Sequence, residues 1–172
     1  ARNMIEKGLL GEVTYVQAQW HRNPGWKMKE APNKRMANWR LFREYSGGLV
    51  AELASHQIDV ADWMMGMTPE AVCGLGSQDF MKDGRDILDN VQLIYKYPKG
   101  RRLVWTGVPG TSHWAGVGGA RTEMGEIICG TQGTVHITIG DDNNMPIGMW
   151  FREPNPPKVE TAKKEKKEAF KA

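Results

Sequence analysis

The sequence predicts an α+β domain in which one principal helix packs on a mostly antiparallel, open β-sheet. Three observations carry this. "SGGLVAELASHQIDVADWMMG", residues 46–66, repeats apolar side chains at the 3.6-residue period of a long helix. "DNVQLIYKYPKGRRLVWTGV", residues 89–108, alternates apolar and polar positions on both sides of a "PKG" turn, as a β-hairpin does. "MGEIICGTQGTVHITIG", residues 124–140, repeats that pattern around Thr131–Gln132. The strands follow the helix instead of alternating with further helices, which is the segregated order of an α+β fold.

Taken in order, residues 1–10 are a helix end stopped by Gly8 or Gly11. "EVTYVQAQWH" is rich in Val, Tyr, Thr and Trp and is a strand. Residues 22–46, "RNPGWKMKEAPNKRMANWRLFREYS", form a long polar connection with two prolines and two tryptophans. Structureless stretches of that length are usually functional or disordered. The principal helix follows. "PEAVCGLGS" is a short strand, and then come the two hairpins. In the first, Val91, Leu93, Tyr95 and Tyr97 alternate, and Leu103 and Trp105 resume the pattern. In the second, Val135, Ile137 and Ile139 face one way and His136 the other. "IGMWF" adds a last strand. Residues 1–157 thus form one domain, and 158–172 form a charged tail, helical and solvated or disordered.

The chain's 172 residues suffice for a real core, and 40% hydrophobic with 25% charged residues is globular composition. The net charge of +3 resides in the tail, whose six Lys and three Glu leave a neutral body. A neutral body argues against a nucleic-acid groove, which needs clustered basic residues. No apolar run approaches the ~18 residues of a membrane-spanning helix. Cys73 and Cys129 lie in apolar runs without metal-ligand or disulfide spacing, and are expected to be small buried hydrophobes. "ARNMIEKGLLGE" lacks an initiator Met and resembles a helix end, so a piece of a longer chain is expected. The compartment is therefore not legible, with the cytoplasm as default.

On the principal helix, Val50, Leu53, Ala54, Gln57, Ile58, Ala61, Met64 and Met65 form one broad face, expected to be core. Glu52, His56, Asp59 and Trp63, spaced by four, three and four, form a stripe on the other side. Two readings remain open. One is a solvated stripe with helical ion pairs worth ~0.2–0.5 kcal/mol each. The other is an acid–base site, in which carboxylates orient an imidazole that takes a proton from a substrate hydroxyl. Trp63 favours a stripe that something covers. A metal reading is weaker, because zinc-hydrolase helices pair two His at i, i+4 and this one does not. Gly47 and Gly48, before the helix, would let a backbone or ligand approach closely. His21, His113 and His136 are expected to be structural. "GVGGAR" at 116–121 lacks the final glycine and the strand–helix context of a dinucleotide fingerprint, so no NAD(P) binding is expected of this chain alone.

In order along the chain, "GEVTYVQAQWH", "NWRLFREYSGGLVAELASHQIDVADWMMGMTPEAVCGLG", "DNVQLIYKYPKG" and "EIICGTQGTVHI" resemble the second domain of the Gfo/Idh/MocA oxidoreductases, which include glucose–fructose oxidoreductase and inositol dehydrogenase. The most specific element is the helix, G-G-x-x-x-[D/E]-x-x-x-H-x-x-D-x-x-x-W-x-x-G. The resemblance implies a dihydrodipicolinate-reductase-like C-terminal domain, with an NAD(P)-binding Rossmann domain absent from these residues. It implies a parent enzyme that oxidises CH–OH groups of a sugar or polyol, and a homo-oligomer built through the sheet. His56 is similar to the family's catalytic histidine, Glu52 to its helix acid, often Asp, and Asp59 to the acid that follows. Trp26, Trp39 and Arg40 would line a sugar site, or anchor the loop, and Trp63 would border it. The family's E-K-P lysine is missing, and "EKG" at 6–8 does not replace it. The competing functions are a non-catalytic carbohydrate-binding or assembly module and an NAD-assisted glycoside hydrolase of the same fold.

Overall fold

The chain's structure is a computed structural model that describes residues 1–21, 27–110, 121–140 and 147–157. A short helix, α1 (Arg2–Glu6), is stopped where Gly8 and Gly11 take positive φ. Strand β1 (Val13–Trp20) follows. The connection after it is not structureless, as the sequence had implied. It holds α2 (Lys34–Ala37), capped by the Asn33 side chain, and a 3₁₀ turn at Trp39–Leu41. Leu41 and Phe42 are buried and anchor it to the core.

The principal helix begins with a π-helical turn, Val50–Ala54, that runs directly into α3 (Ser55–Met65). Gly66, at φ 66°, closes it in the left-handed conformation glycine adopts freely. The strands are β2 (Ala71–Ser77), β3 (Asn90–Lys96), β4 (Arg102–Gly107), β5 (Arg121–Gly130), β6 (Gly133–Gly140) and β7 (Ile147–Arg152). They form one seven-stranded sheet in the order β2-β3-β4-β1-β5-β6-β7. Every neighbouring pair is antiparallel except β1 with β4. That parallel pair is possible because the helical connection and the β2-β3-β4 meander supply a long crossover.

Among the described residues, only one face of the sheet is covered. Val16, Ala18, Tyr95, Leu103, Trp105 and Ile128 are buried there beneath Leu53, Ala54, Ala61, Met64 and Met65 of the principal helix. A single buried amide also joins helix to sheet. Gln57 Oε1 accepts from Trp105 Nε1 at 2.7 Å, and Gln57 Nε2 lies 3.0 Å from the carbonyl oxygens of Gln19 and Gly125 and from Glu126 Oε1. A second tie is Tyr97 Oη, which donates to Asp62 Oδ1 at 2.6 Å. Burial and then the Asp62 carboxylate hold that phenol far above its usual range.

The other face is open. Register places Cys73, Ile94, Val104, Gln17, Ile127, His136 and Met149 in one row across it. This corrects the expectation for the cysteines. Cys73 is exposed and Cys129 half-buried, because no second layer among the described residues covers these strands. Their apolar neighbours signal the open face as readily as a core.

Candidate active site

The principal helix, the end of β1 and the connection between them enclose a hollow of about 520 Å³. Trp20, Lys27, Lys29, Asn38, Trp39, Arg40, Glu52 and His56 are among its lining residues. His56 stacks on Trp20 with ring centroids 5.7 Å apart and planes at 29°. The stack fixes the plane of the imidazole while leaving its edge exposed. The same hollow is lined by an ion pair, in which Arg40 Nε donates to Glu52 Oε2 at 2.8 Å. The Arg40 guanidinium also lies 4.3 Å above the Trp39 ring, a cation–π contact.

Glu52 belongs to the π turn, a feature often found at functional sites. Its second oxygen accepts from Ser46 Oγ at 3.1 Å, and Ser46 Oγ in turn accepts from the Gly48 amide at 3.0 Å. Gly48 has φ 65°, and a Cβ there would come within 3.2 Å of Ile87. The close approach foreseen for this glycine is therefore made by a core side chain. Both oxygens of Glu52 are thus engaged, so it acts on the hollow through Arg40 and makes no hydrogen bond to His56.

The other sequence candidates fall as follows. Trp39 and Arg40 line the hollow with Glu52 and His56. Asp59 is exposed on the same side of α3 but outside the lining, without a hydrogen bond among the described residues. Trp63 stands seven residues, about 10 Å along the axis, from His56. It is 60% exposed and borders a different hollow with Arg2, Val60, Glu126 and Ile137. Trp26 and His113 lie outside the described residues. His21 is buried, its Nδ1 accepting from the Val108 amide at 3.0 Å, which makes it a structural tie. His136 meets the Phe151 ring edge-on at 5.2 Å on the open face.

Sequence reasoning missed Trp20, Asn38 and the two lysines. A tryptophan closing a strand just before a long polar connection was the available signal for Trp20. Among the described residues no three His, Cys, Asp or Glu side chains converge as a metal cage. Nor does a glycine-rich turn there join a strand to a helix as a pyrophosphate cradle requires, so the described residues do not fit NAD(P) as its principal holder.

A helix crosses one face of an open sheet, with an imidazole and an arginine–carboxylate pair at its N-terminal end, which makes this an α/β domain with a polar hollow beside the helix. Residues 2–169 match the family description "Oxidoreductase family, C-terminal alpha/beta domain", and the chain belongs to this Gfo/Idh/MocA family. Its fold is similar to that of aldose-aldose oxidoreductase from Caulobacter crescentus complexed with glycerol. The two are 18% identical with TM-score 0.64, over 91% of this chain and 44% of that one. The WlbA dehydrogenase from Bordetella pertussis, in complex with NADH and UDP-GlcNAcA, is 22% identical with TM-score 0.63, over 90% of this chain and 43% of that one. An inositol dehydrogenase homolog complexed with NAD+ from Azotobacter vinelandii is 16% identical with TM-score 0.62, over 89% and 41%. At these identities the likeness is one of fold, and the chain spans less than half the length of each.

Proposed function

We propose that this chain is the substrate-binding and oligomerisation domain of an NAD(P)-dependent sugar or polyol oxidoreductase, with His56 as proton acceptor from the substrate hydroxyl. The observation that carries the reading is the hollow itself, which His56, stacked on Trp20, lines together with the Arg40–Glu52 pair. Solved relatives with an aldose, an inositol or a nucleotide-sugar enzyme name, two of them holding NAD+ or NADH, support the same chemistry.

NAD(P), held by a separate domain, supplies the hydride acceptor. The residues of this chain do the rest. Aromatic faces of Trp20 and Trp39 pack against the C–H surface of a sugar ring, and Arg40 donates to its oxygens. Glu52 positions Arg40, and His56 accepts the hydroxyl proton. Asp59, one turn further along, carries negative charge near the imidazole. The open sheet face supports self-association, because exposed Ile94 and half-buried Val104, Ile127 and Met149 leave apolar surface there that a second copy would cover. Of the first hairpin's strand residues, Val104 faces that side with Ile94, whereas Val91, Leu93, Tyr95 and Trp105 face the helix.

The test is His56→Ala in the enzyme that carries its nucleotide domain. A positioned proton acceptor is worth roughly 10²–10⁴-fold in kcat, and the variant should lose about that much with little change in cofactor affinity. Glu52→Gln should lose less, since it weakens the hold on Arg40 and leaves the acceptor in place. Unaltered kcat in His56→Ala would remove the catalytic role of His56 and leave only the fold assignment standing.

A further inference from the structure

We infer that the sugar taken by this hollow carries a negative charge, a carboxylate or a phosphate, read by Lys27, Lys29 and Arg40. This rests on the reading of the hollow as a sugar site.

The lining holds three cations, Lys27, Lys29 and Arg40, against one carboxylate, Glu52. That carboxylate is already matched, since Arg40 Nε lies 2.8 Å from Glu52 Oε2. Lys27 and Lys29 thus line the hollow with no ion pair of their own among the described residues. Of the acids in the same connection, Glu30 pairs with Lys34 at 2.9 Å and Glu44 with Arg35 at 3.2 Å, and Asp59 of α3 lies outside the lining. Arg40 uses only Nε on Glu52, so both of its terminal nitrogens remain as donors in the fork geometry that fits a carboxylate or phosphate.

Isolated surface lysines are ordinary, but these belong to a built wall. Asn38 is buried, and its side chain clamps the backbone of Lys29 from both sides. Asn38 Oδ1 accepts from the Lys29 amide at 2.7 Å, and Asn38 Nδ2 donates to the Lys29 carbonyl at 2.8 Å and to the Lys34 carbonyl at 2.7 Å. The segment is thereby tied to α2, whose following turn carries Trp39 and Arg40. A neutral sugar would satisfy hydrogen bonds in this hollow and leave two positive charges unbalanced. An anionic one balances them at an exposed rim, so the gain is salt-sensitive.

The experiment titrates the protein, by tryptophan fluorescence and calorimetry, with glucose, glucuronate, glucuronate methyl ester and glucose 6-phosphate, and with the galacto counterparts. At least one charged sugar should bind about tenfold or more tightly than the neutral sugar of the same ring, the scale of a charge-assisted hydrogen bond. The methyl ester should behave as the neutral sugar, and added salt should narrow the gap. Preference for the uronate identifies a carboxylate, and preference for the sugar phosphate identifies a phosphate. The double variant Lys27→Met/Lys29→Met, at exposed positions, should erase the preference, with far-UV circular dichroism unchanged as the check on folding. Equal affinity for charged and neutral sugars, or a preference untouched in the double variant, overturns this inference and leaves the sugar site standing. No binding of any sugar overturns both.

Discussion

Replacing Gln57 with Leu tests how the helix is held in place above the sheet. Gln57 is 2% exposed, and its amide touches β4, β1 and β5 at once through Trp105, Gln19, Gly125 and Glu126. Leu fills a similar volume, so the cavity penalty is small and the loss is one of hydrogen bonding. Trp105 Nε1, on a ring with no exposed surface, loses its acceptor. An orphaned buried donor costs about 1–3 kcal/mol, and the Gln19 and Gly125 carbonyls lose part of their solvation as well. Extra apolar burial by Leu offsets some of this. The expected net loss is about 2–4 kcal/mol, a large share of a domain's stability. Urea unfolding followed by tryptophan emission and far-UV circular dichroism reads it. With a slope of about 1–3 kcal/mol per molar, the midpoint should fall by about 1–2 M without a change of slope. Gln57→Glu keeps an acceptor for Trp105 but sets a second carboxylate against Glu126, so its deficit should shrink on acidification. A loss below about half a kcal/mol in Gln57→Leu would refute the role assigned to this amide.

Burial raises the Glu126 carboxyl above its ordinary range, with the Gln57 amide opposing in part, so protonation favours the folded state. Its stability contribution is full below the unfolded carboxylate's value and is lost as pH rises through the folded one. Glu126→Gln should therefore melt higher than wild type at neutral pH, with the gap closing in acid. Tyr97→Phe should cost about 1.5–3 kcal/mol in urea unfolding, because it removes a short hydrogen bond to the Asp62 carboxylate; a smaller loss would mean that solvent replaces the bond. On the open face, the pair Ile94→Glu and Val104→Glu should lower the mass seen by light scattering at tens of micromolar. A wild-type chain that is already monomeric there would count against assembly through this face.

The helix was legible because its period is local, and the buried Leu53, Ala54, Ala61, Met64 and Met65 lie on the side the spacing assigns. The hairpins were legible for the same reason, since alternation on both sides of a turn requires no distant information. What eluded the sequence is non-local. Nothing in the letters of β1 says that it pairs in parallel with β4, or that Trp20 then ends beneath His56. Apolar strand residues announce burial on either face, so Cys73 and Ile94 resemble core positions. Glu52, His56 and Trp63 share a stripe by angle, but a stripe has length, and distance along the axis takes Trp63 out of the hollow. Lys27 and Lys29 gain meaning only once Asn38 fastens their segment to the wall.

The place of β1 has a kinetic consequence. It is the seam between two meanders, β2-β3-β4 and β5-β6-β7, yet it leaves the ribosome before either. Each meander pairs strands that follow one another in the chain, whereas the seam must wait for Arg102–Gly107 on one side and Arg121–Gly130 on the other. Until then a strand of alternating Val, Tyr and Ala has two bare edges, an invitation to another nascent chain. Folding of this domain should therefore be limited by long-range closure at its centre. The Trp20 platform that seats His56 would be among the last features to form, which ties the acquisition of a site to the completion of the whole sheet.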